Sequence, residues 1–445
     1  MNLLIKTIPF QLIWGVILLL GYYYQIPLKF IFLAGSLFTM ITMWANEDIP
    51  QWIPSLIPFI ILVPFNYLPF IKVLTHYFSP TTFLFFGGMI LAKLIEHHHV
   101  HQWFFQNFII YFERSRFLLL LGVLAISTII SSFVSNTATA LLMFPLILQS
   151  RSPSLMLAMG YGASLGGLAT IVGSPTNAIL INFWNEKAIQ KIHFLDWIKL
   201  TAPLVIFGFI ILFIILSVSI YREERVKFHF KNIDQIALGK KQIMTLVIFF
   251  LFILGWIIST NLSFFPSEAH WSLIMAAVIV FFPLKIQSDS LFPLKLLTEI
   301  DYSILLLFGA GLAFADALQV SGLIQLLSTN LGSISSLSLE VKLFSIVLLM
   351  ILFTEISSNT AAVAIFVPLF SELHRPLGLP LFNTLIAVTA AASLSFMLPS
   401  ATPPNAIIFS SKLIKLQKML RMGFLLNLLF AFAITFWALR QFPLN

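Results

Sequence analysis

The chain has 445 residues, 59% of them hydrophobic and 9% charged, with 47 phenylalanines and a net charge of +8. A water-soluble domain carries about 25% charged residues, so this composition excludes a soluble globule and reads as an integral membrane protein. The absence of cysteine excludes disulfides, thiolate metal sites and cysteine nucleophiles. The basic residues are scattered between apolar spans, without the arginine–aromatic interleaving that nucleic acid binding would need.

A membrane-crossing helix needs about 20 apolar residues. The first candidate is 8–24, and Tyr22, Tyr23 and Tyr24 stand where a signal peptide would have its small-residue cleavage site. Residues 1–26 are therefore expected to hold a retained first span. Spans 27–46, 51–72 and 80–96 follow, then an amphipathic stretch, 100–116, expected to lie in the interface plane. After spans 153–182 and 197–220 comes a basic linker, 222–242, with Arg222, Arg225, Lys227, Lys231, Lys240 and Lys241. Positive charge collects in cytoplasmic loops, so this end and the N-terminus are expected in the cytoplasm. The remaining spans are 243–260, 269–284, 301–320, 378–409 and 424–441, with a second amphipathic stretch at 322–340. That makes eleven complete spans. Two further apolar stretches, 117–150 and 341–371, are too long for one span, and each carries Ser-Asn-Thr near its middle.

Those triplets belong to an internal repeat. Asn136 and Asn359 lie 223 residues apart, as do Pro145 and Pro368; Gly87 and Gly309 lie 222 apart, and Asn177 and Asn405 lie 228 apart. Four landmarks in one order at nearly one offset identify a duplicated unit, 27–221 and 243–445. Each copy holds five complete spans, an odd number, so the second enters from the opposite face. Such inverted-topology repeats are a frequent plan for secondary transporters.

Within lipid every backbone polar group must be bonded inside the protein. Each oversized stretch has two arms of only ~14 residues, short of a crossing, and is expected to form a re-entrant hairpin with its tip at Ser135–Thr137 or Ser358–Thr360. Spans five and ten are interrupted by Gly173, Ser174 and Pro175, and by Pro399, Pro403 and Pro404. Proline removes an amide donor and blocks the helical bond four residues back, so both helices should unwind beside the hairpins. Helix N-termini and free amides suit an anion; freed carbonyls with Ser and Asn oxygens suit a small cation. The hairpin and broken-span segments contain no arginine clamp. A dianion held there would need bound cations to supply positive charge, which would couple the two.

Glu355 is the one carboxylate close to a hairpin tip. An intramembrane carboxylate is a candidate proton carrier or cation-site tuner, but bonding to amides at the tip is the favoured role. The run Glu96, His97, His98, His99, His101 invites a metal reading; adjacent histidines on a helix diverge, so a boundary segment is preferred. Asp316 aligns with Lys93 in the repeat, 223 residues apart, and both are expected near the boundary or in a scaffold contact.

At "SSFVSNTATALLMFPL", "TEISSNTAAVAIFVPL", "GGLATIVGSPTNAI" and "FMLPSATPPNAIIF" the chain resembles the divalent anion/sodium symporter family of dicarboxylate, citrate and sulfate carriers. The resemblance implies an all-α polytopic fold with scaffold and transport domains, a homodimer in a bacterial plasma membrane, and elevator-type transport. Carried over position by position, it implies one sodium site at Ser131, Ser135, Asn136 and the Gly173 carbonyl. It implies a second at Thr354, Ser357, Asn359 and the Ala401 carbonyl. Substrate carboxylates would meet Asn136, Thr137, Ser174, Asn359, Thr360 and Pro403. Thr176 replaces a proline common in the family, and Ser400 an apolar residue, which bears on substrate choice. The leading expectation is sodium-coupled uptake of a C4-dicarboxylate, with no organic cofactor. A proton-coupled carrier or exchanger, a carrier of sulfate, citrate or tartrate, an anion channel and a membrane enzyme are the alternatives.

Overall fold

The computed structural model describes residues 14, 27–45, 49–187, 190–223, 237–262, 264–281, 285–286, 289–322 and 336–441. Most of the expected first span, the centre of the basic linker and most of the second amphipathic stretch lie outside these. The described chain is helical apart from its connections and one two-residue antiparallel ladder, Lys285–Ile286 with Asp289–Ser290.

The first half opens with α1 (Leu28–Ala45). The expected span 51–72 is not one helix. A 3-10 turn at Pro54–Leu56 runs into the five-residue α2 (Ile57–Ile61) and then irregular chain. Pro64 offers no amide donor, Asn66 takes a left-handed φ of 57°, and Pro69 stands before α3 (Phe70–Tyr77). With α4 (Pro80–His97) this makes a 28-residue apolar segment, Phe70–His97, long enough to cross a membrane. Hydropathy alone placed two spans where the prolines permit this one. His99, with φ 53°, turns the chain into α5 (Val100–Ile109), a separate helix over the expected interfacial stretch.

The hairpin follows as α6 (Arg116–Ser131) and α7 (Asn136–Gln149), of 16 and 14 residues. At 1.5 Å per residue neither arm spans a ~30 Å hydrocarbon core. The next span is broken as expected, into α8 (Pro153–Gly167) and α9 (Pro175–Lys187). The half closes with the 28-residue α10 (Phe194–Tyr221).

The second half repeats this order: α11 (Lys240–Asn261), α12 (Glu268–Phe281) and α13 (Ser303–Ser321). Its hairpin is α14 (Leu339–Thr354) with α15 (Asn359–Leu373). Its broken span is α16 (Leu381–Ser393) with α17 (Pro403–Ser410), and α18 (Leu416–Leu439) is last. Pro145 and Pro368 sit inside the returning hairpin helices α7 and α15. By length and apolarity, five segments of the described residues can cross a membrane: 70–97, 194–221, 240–260, 303–321 and 416–439. The other apolar helices are shorter: α1 and α12, and those that build the hairpins and breaks.

Burial is densest in α8 and α16, where nearly every residue is enclosed. Each hairpin packs on the broken helix of its own half: α6 and α7 on α8, α14 and α15 on α16. The halves also interlock reciprocally, α7 against α17 and α15 against α9.

Candidate functional site

Four helices begin at residues the sequence singled out: α7 at Asn136, α9 at Pro175, α15 at Asn359 and α17 at Pro403. Helix starts leave amide donors unpaired and carry partial positive charge. The hairpin tips differ from expectation by a few residues. The non-helical corners are 132–135 and 355–358, and the Asn-Thr pairs already form the first turn of the returning helices. The reason is capping: Ser135 is the N-cap of α7, its Oγ accepting from the Ala138 amide at 3.2 Å.

In the first half the structure brings Ser131, Asn136 and Gly173 together. The buried Ser131 hydroxyl donates to Asn136 Oδ1 at 2.6 Å. A Cβ at Gly167 would lie 2.5 Å from Asn136 Oδ1, so only glycine lets the hairpin approach α8 this closely. A Cβ at Gly173 would lie 2.8 Å from the Gly167 carbonyl, 2.9 Å from that of Ser132 and 3.2 Å from that of Ser131. The glycine thus sits in a ring of carbonyl oxygens from both hairpin and break. The Thr170 hydroxyl donates to the Ser132 carbonyl, a further link between them. Ser174 is buried, its Oγ 2.8 Å from Thr176 Oγ1.

In the second half Thr354 and Ser357 are buried, and their hydroxyls donate back along the chain. Thr354 Oγ1 reaches the Met350 and Ile351 carbonyls at 3.1 and 3.0 Å, and Ser357 Oγ reaches that of Phe353 at 2.9 Å. With their hydrogens committed, as Ser131's is, these oxygens present lone pairs alone, the donor set a hard cation takes. Asn359 Oδ1 is buried and accepts no hydrogen bond among the described residues. Ala401 is buried in the break, while Pro403 is exposed at the start of α17. Thr137 and Thr360 are half-buried in the first turns of α7 and α15.

Glu355 bonds amides, as favoured, but not those of the hairpin tip. Its Oε1 accepts from the Phe396 and Met397 amides at 2.9 and 3.0 Å and from Asn427 Nδ2 at 2.6 Å. Its Oε2 accepts from the Leu398 amide at 2.8 Å. A buried carboxylate is costly unless hydrogen-bonded, and here it replaces the helical partners that the unwound segment has lost. The corresponding residue of the first half is Ser132. There the Leu168 and Ala169 amides bond the Leu165 and Gly166 carbonyls at 3.2 and 2.9 Å instead.

Sequence reasoning gave no role to the residues that shape the breaks. Asn177 Nδ2 donates to the Gly167 and Thr170 carbonyls at 2.8 and 2.7 Å. Asn405 Nδ2 donates to those of Ser395 and Leu398 at 3.2 and 3.1 Å. The repeat alignment had paired these asparagines, and that was the available signal. Two bonds join the breaks of opposite halves: Tyr161 OH to the Phe396 carbonyl at 2.9 Å, and Thr176 Oγ1 to Ser393 Oγ at 2.9 Å.

Away from the breaks, Asp316 anchors an ion cluster with Lys72 at 2.9 Å, His76 at 3.1 Å and Lys187 at 3.3 Å. Lys93 pairs with Glu299 at 2.9 Å and Glu96 at 3.5 Å. In the histidine run, His98 Nε2 is 2.8 Å from the Leu291 carbonyl, and burial lowers the His101 pKa to about 4.

Comparison with known proteins agrees with this architecture. The citrate transporter family profile matches residues 37–375. An uncharacterized transporter of Haemophilus influenzae is 30% identical over 87% of this chain and 86% of its own. The sodium-dependent dicarboxylate transporter SdcS of Staphylococcus saprophyticus is 28% identical over 90% of this chain and 84% of its own. In fold the chain is similar to the YdaH transporter of Alcanivorax borkumensis, with a TM-score of 0.61 at 14% identity, over 83% of this chain and 87% of that one. The chain therefore belongs to the citrate transporter family, among the divalent anion/sodium symporters its paired motifs resemble, and is a multi-pass membrane transporter rather than an enzyme.

Proposed function

We propose that this protein imports a small dianion, a C4-dicarboxylate such as succinate, together with sodium. The observation that carries the reading is the reciprocal packing of α7 on α17 and of α15 on α9, which joins each hairpin to the opposite half's broken helix. In this arrangement one sodium ion takes oxygens of Ser131, Ser135, Asn136 and Gly173, and the other those of Thr354, Ser357, Asn359 and Ala401. The substrate carboxylates meet Asn136, Thr137, Ser174, Asn359, Thr360 and Pro403. No lysine or arginine is among these residues, so the dianion depends on the two cations for charge compensation, and sodium binding precedes tight substrate binding. The similarity to a sodium-dependent dicarboxylate transporter supports the same cargo.

Transport is of the elevator type in a homodimer in the bacterial plasma membrane. The hairpins and broken helices move as one transport domain against a scaffold drawn from the remaining helices of repeats 27–221 and 243–445. The basic linker sets the N-terminus in the cytoplasm. Uptake of labelled succinate into proteoliposomes, with sodium or choline outside, tests the coupling. Sodium should stimulate uptake strongly. Equal uptake in choline would assign the carrier to proton coupling or exchange, and fluxes far above carrier turnover would assign it to a channel.

A further inference from the structure

Charged residues bordering α10 and α18 gather at one place that shares no residue with the proposed cation and dianion sites. A cavity of about 550 Å³ opens there, lined by Ile215, Val218, Met422 and Leu425 together with Arg222, Lys415, Lys418 and Arg421. Arg222 is the C-cap of α10 and Lys415 the N-cap of α18, so the cations lie at the ends of two long apolar helices. Arg222, Lys415 and Arg421 are exposed, and among the described residues none of the three has an ion-pair partner. Among the described residues, the carboxylate of Glu223 is 4.0 Å from Lys418 and is already held by Ser152 Oγ at 2.5 Å and Ser154 Oγ at 2.6 Å. Among the described residues the cavity therefore keeps a positive excess.

Below the cations the surface is apolar and uncovered. Ile214 and Val218 on α10, and Phe424 and Leu425 on α18, are roughly half exposed. In a membrane-crossing helix such side chains face acyl chains. A small soluble anion would use the cations and ignore the trough; a neutral lipid would do the reverse. Four cations above an apolar groove at a helix boundary match a ligand with a phosphate at one end and hydrocarbon at the other. We infer that this groove is a binding site for an anionic phospholipid, its phosphodiester among Arg222, Lys415, Lys418 and Arg421, its acyl chains along Ile215, Val218, Met422 and Leu425. The site shares no residue with the proposed cation and dianion sites, so it stands or falls independently of them.

The test uses the full chain, stripped of lipid in detergent. Melting is followed on titration with phosphatidylglycerol, with phosphatidylcholine, and with inorganic phosphate in the presence of phosphatidylcholine. Phosphatidylglycerol should raise the melting temperature, and neither of the others should. At roughly a factor of five per cation near an anionic surface, the triple variant Arg222→Gln/Lys415→Gln/Arg421→Gln should need on the order of a hundredfold more phosphatidylglycerol for half the shift. The charge-conserving Arg222→Lys/Arg421→Lys variant should stay close to wild type, which separates lost charge from damaged folding. An equal shift with phosphatidylcholine, a full shift with phosphate, or an unchanged titration in the triple variant would each overturn the assignment.

Discussion

Asn177 and Asn405 perform the same operation in opposite halves: each side-chain amide binds the carbonyls ten and seven residues before it. Both asparagines are fully buried. The carbonyls they hold lie at the end of α8 and in the two unwound segments, where those of Thr170 and Leu398 also accept the Gly173 and Ala401 amides. The two breaks are thus fastened alike.

From this, Asn177→Ala and Asn405→Ala should each destabilise the fold by about 1–3 kcal/mol, since the Gly167 or Ser395 carbonyl loses its side-chain donor while those of Thr170 and Leu398 keep the Gly173 and Ala401 amides. Apparent melting temperature in detergent measures the loss. The two variants should fall by similar amounts. If either melts like wild type, its break is held by something else.

Asn136→Ala and Asn359→Ala should abolish succinate uptake while each purified variant keeps its wild-type elution on size exclusion. Asn136 lies against Gly167 at the edge of the break, and the buried Asn359 Oδ1 has no partner among the described residues. Near-normal transport by either variant would remove that residue from the site.

Glu355→Gln should retain sodium-stimulated uptake but lower stability. Glutamine can still accept at one oxygen, but its NH₂ cannot accept from the Leu398 amide. Hydrogen bonds to a charged group contribute ~1.5–3 kcal/mol each, so Glu355→Ala should be worse than Glu355→Gln. Complete loss of sodium stimulation in Glu355→Gln proteoliposomes would instead give the carboxylate a direct part in coupling.

His193 gives a pH signature outside the membrane-crossing helices. Its Nδ1 is 3.6 Å from Glu268 Oε2, and that interaction raises its pKa above the usual histidine value. A raised value means stability that is full below about pH 6.5 and lost as pH rises through the folded-state value. The side chain is 43% exposed, so the effect is small, under about 1 kcal/mol. Wild type should melt above His193→Gln at pH 6, and the two should coincide by pH 9. A constant gap across that range would rule out the protonated pair.

Much of this fold could be read from sequence because membranes punish irregularity. Ser-Asn-Thr inside an apolar run, with prolines and glycines in neighbouring spans, has few uses in lipid, and both hairpins and both breaks appear where those residues stand. The 51–72 stretch was misread because hydropathy is blind to backbone: Pro64, Asn66 and Pro69 decide its course. The partners of Glu355 were missed for another reason. Phe396 lies 41 residues away, and nothing local marks which unpaired amides a carboxylate will meet. Asn427, which also holds Glu355, sits in an apolar stretch of α18 with no repeat partner to announce it.

The hydroxyls of Ser131, Thr354 and Ser357 have each already given their hydrogen to a neighbour. None is free to rotate and donate to an incoming carboxylate, so in the proposed sodium sites these oxygens would disfavour an anion without bearing any formal charge. On that proposal, discrimination by sign rests on the direction of three O–H bonds. It can be erased by disturbing the acceptors behind them, with the serines and threonine themselves left in place.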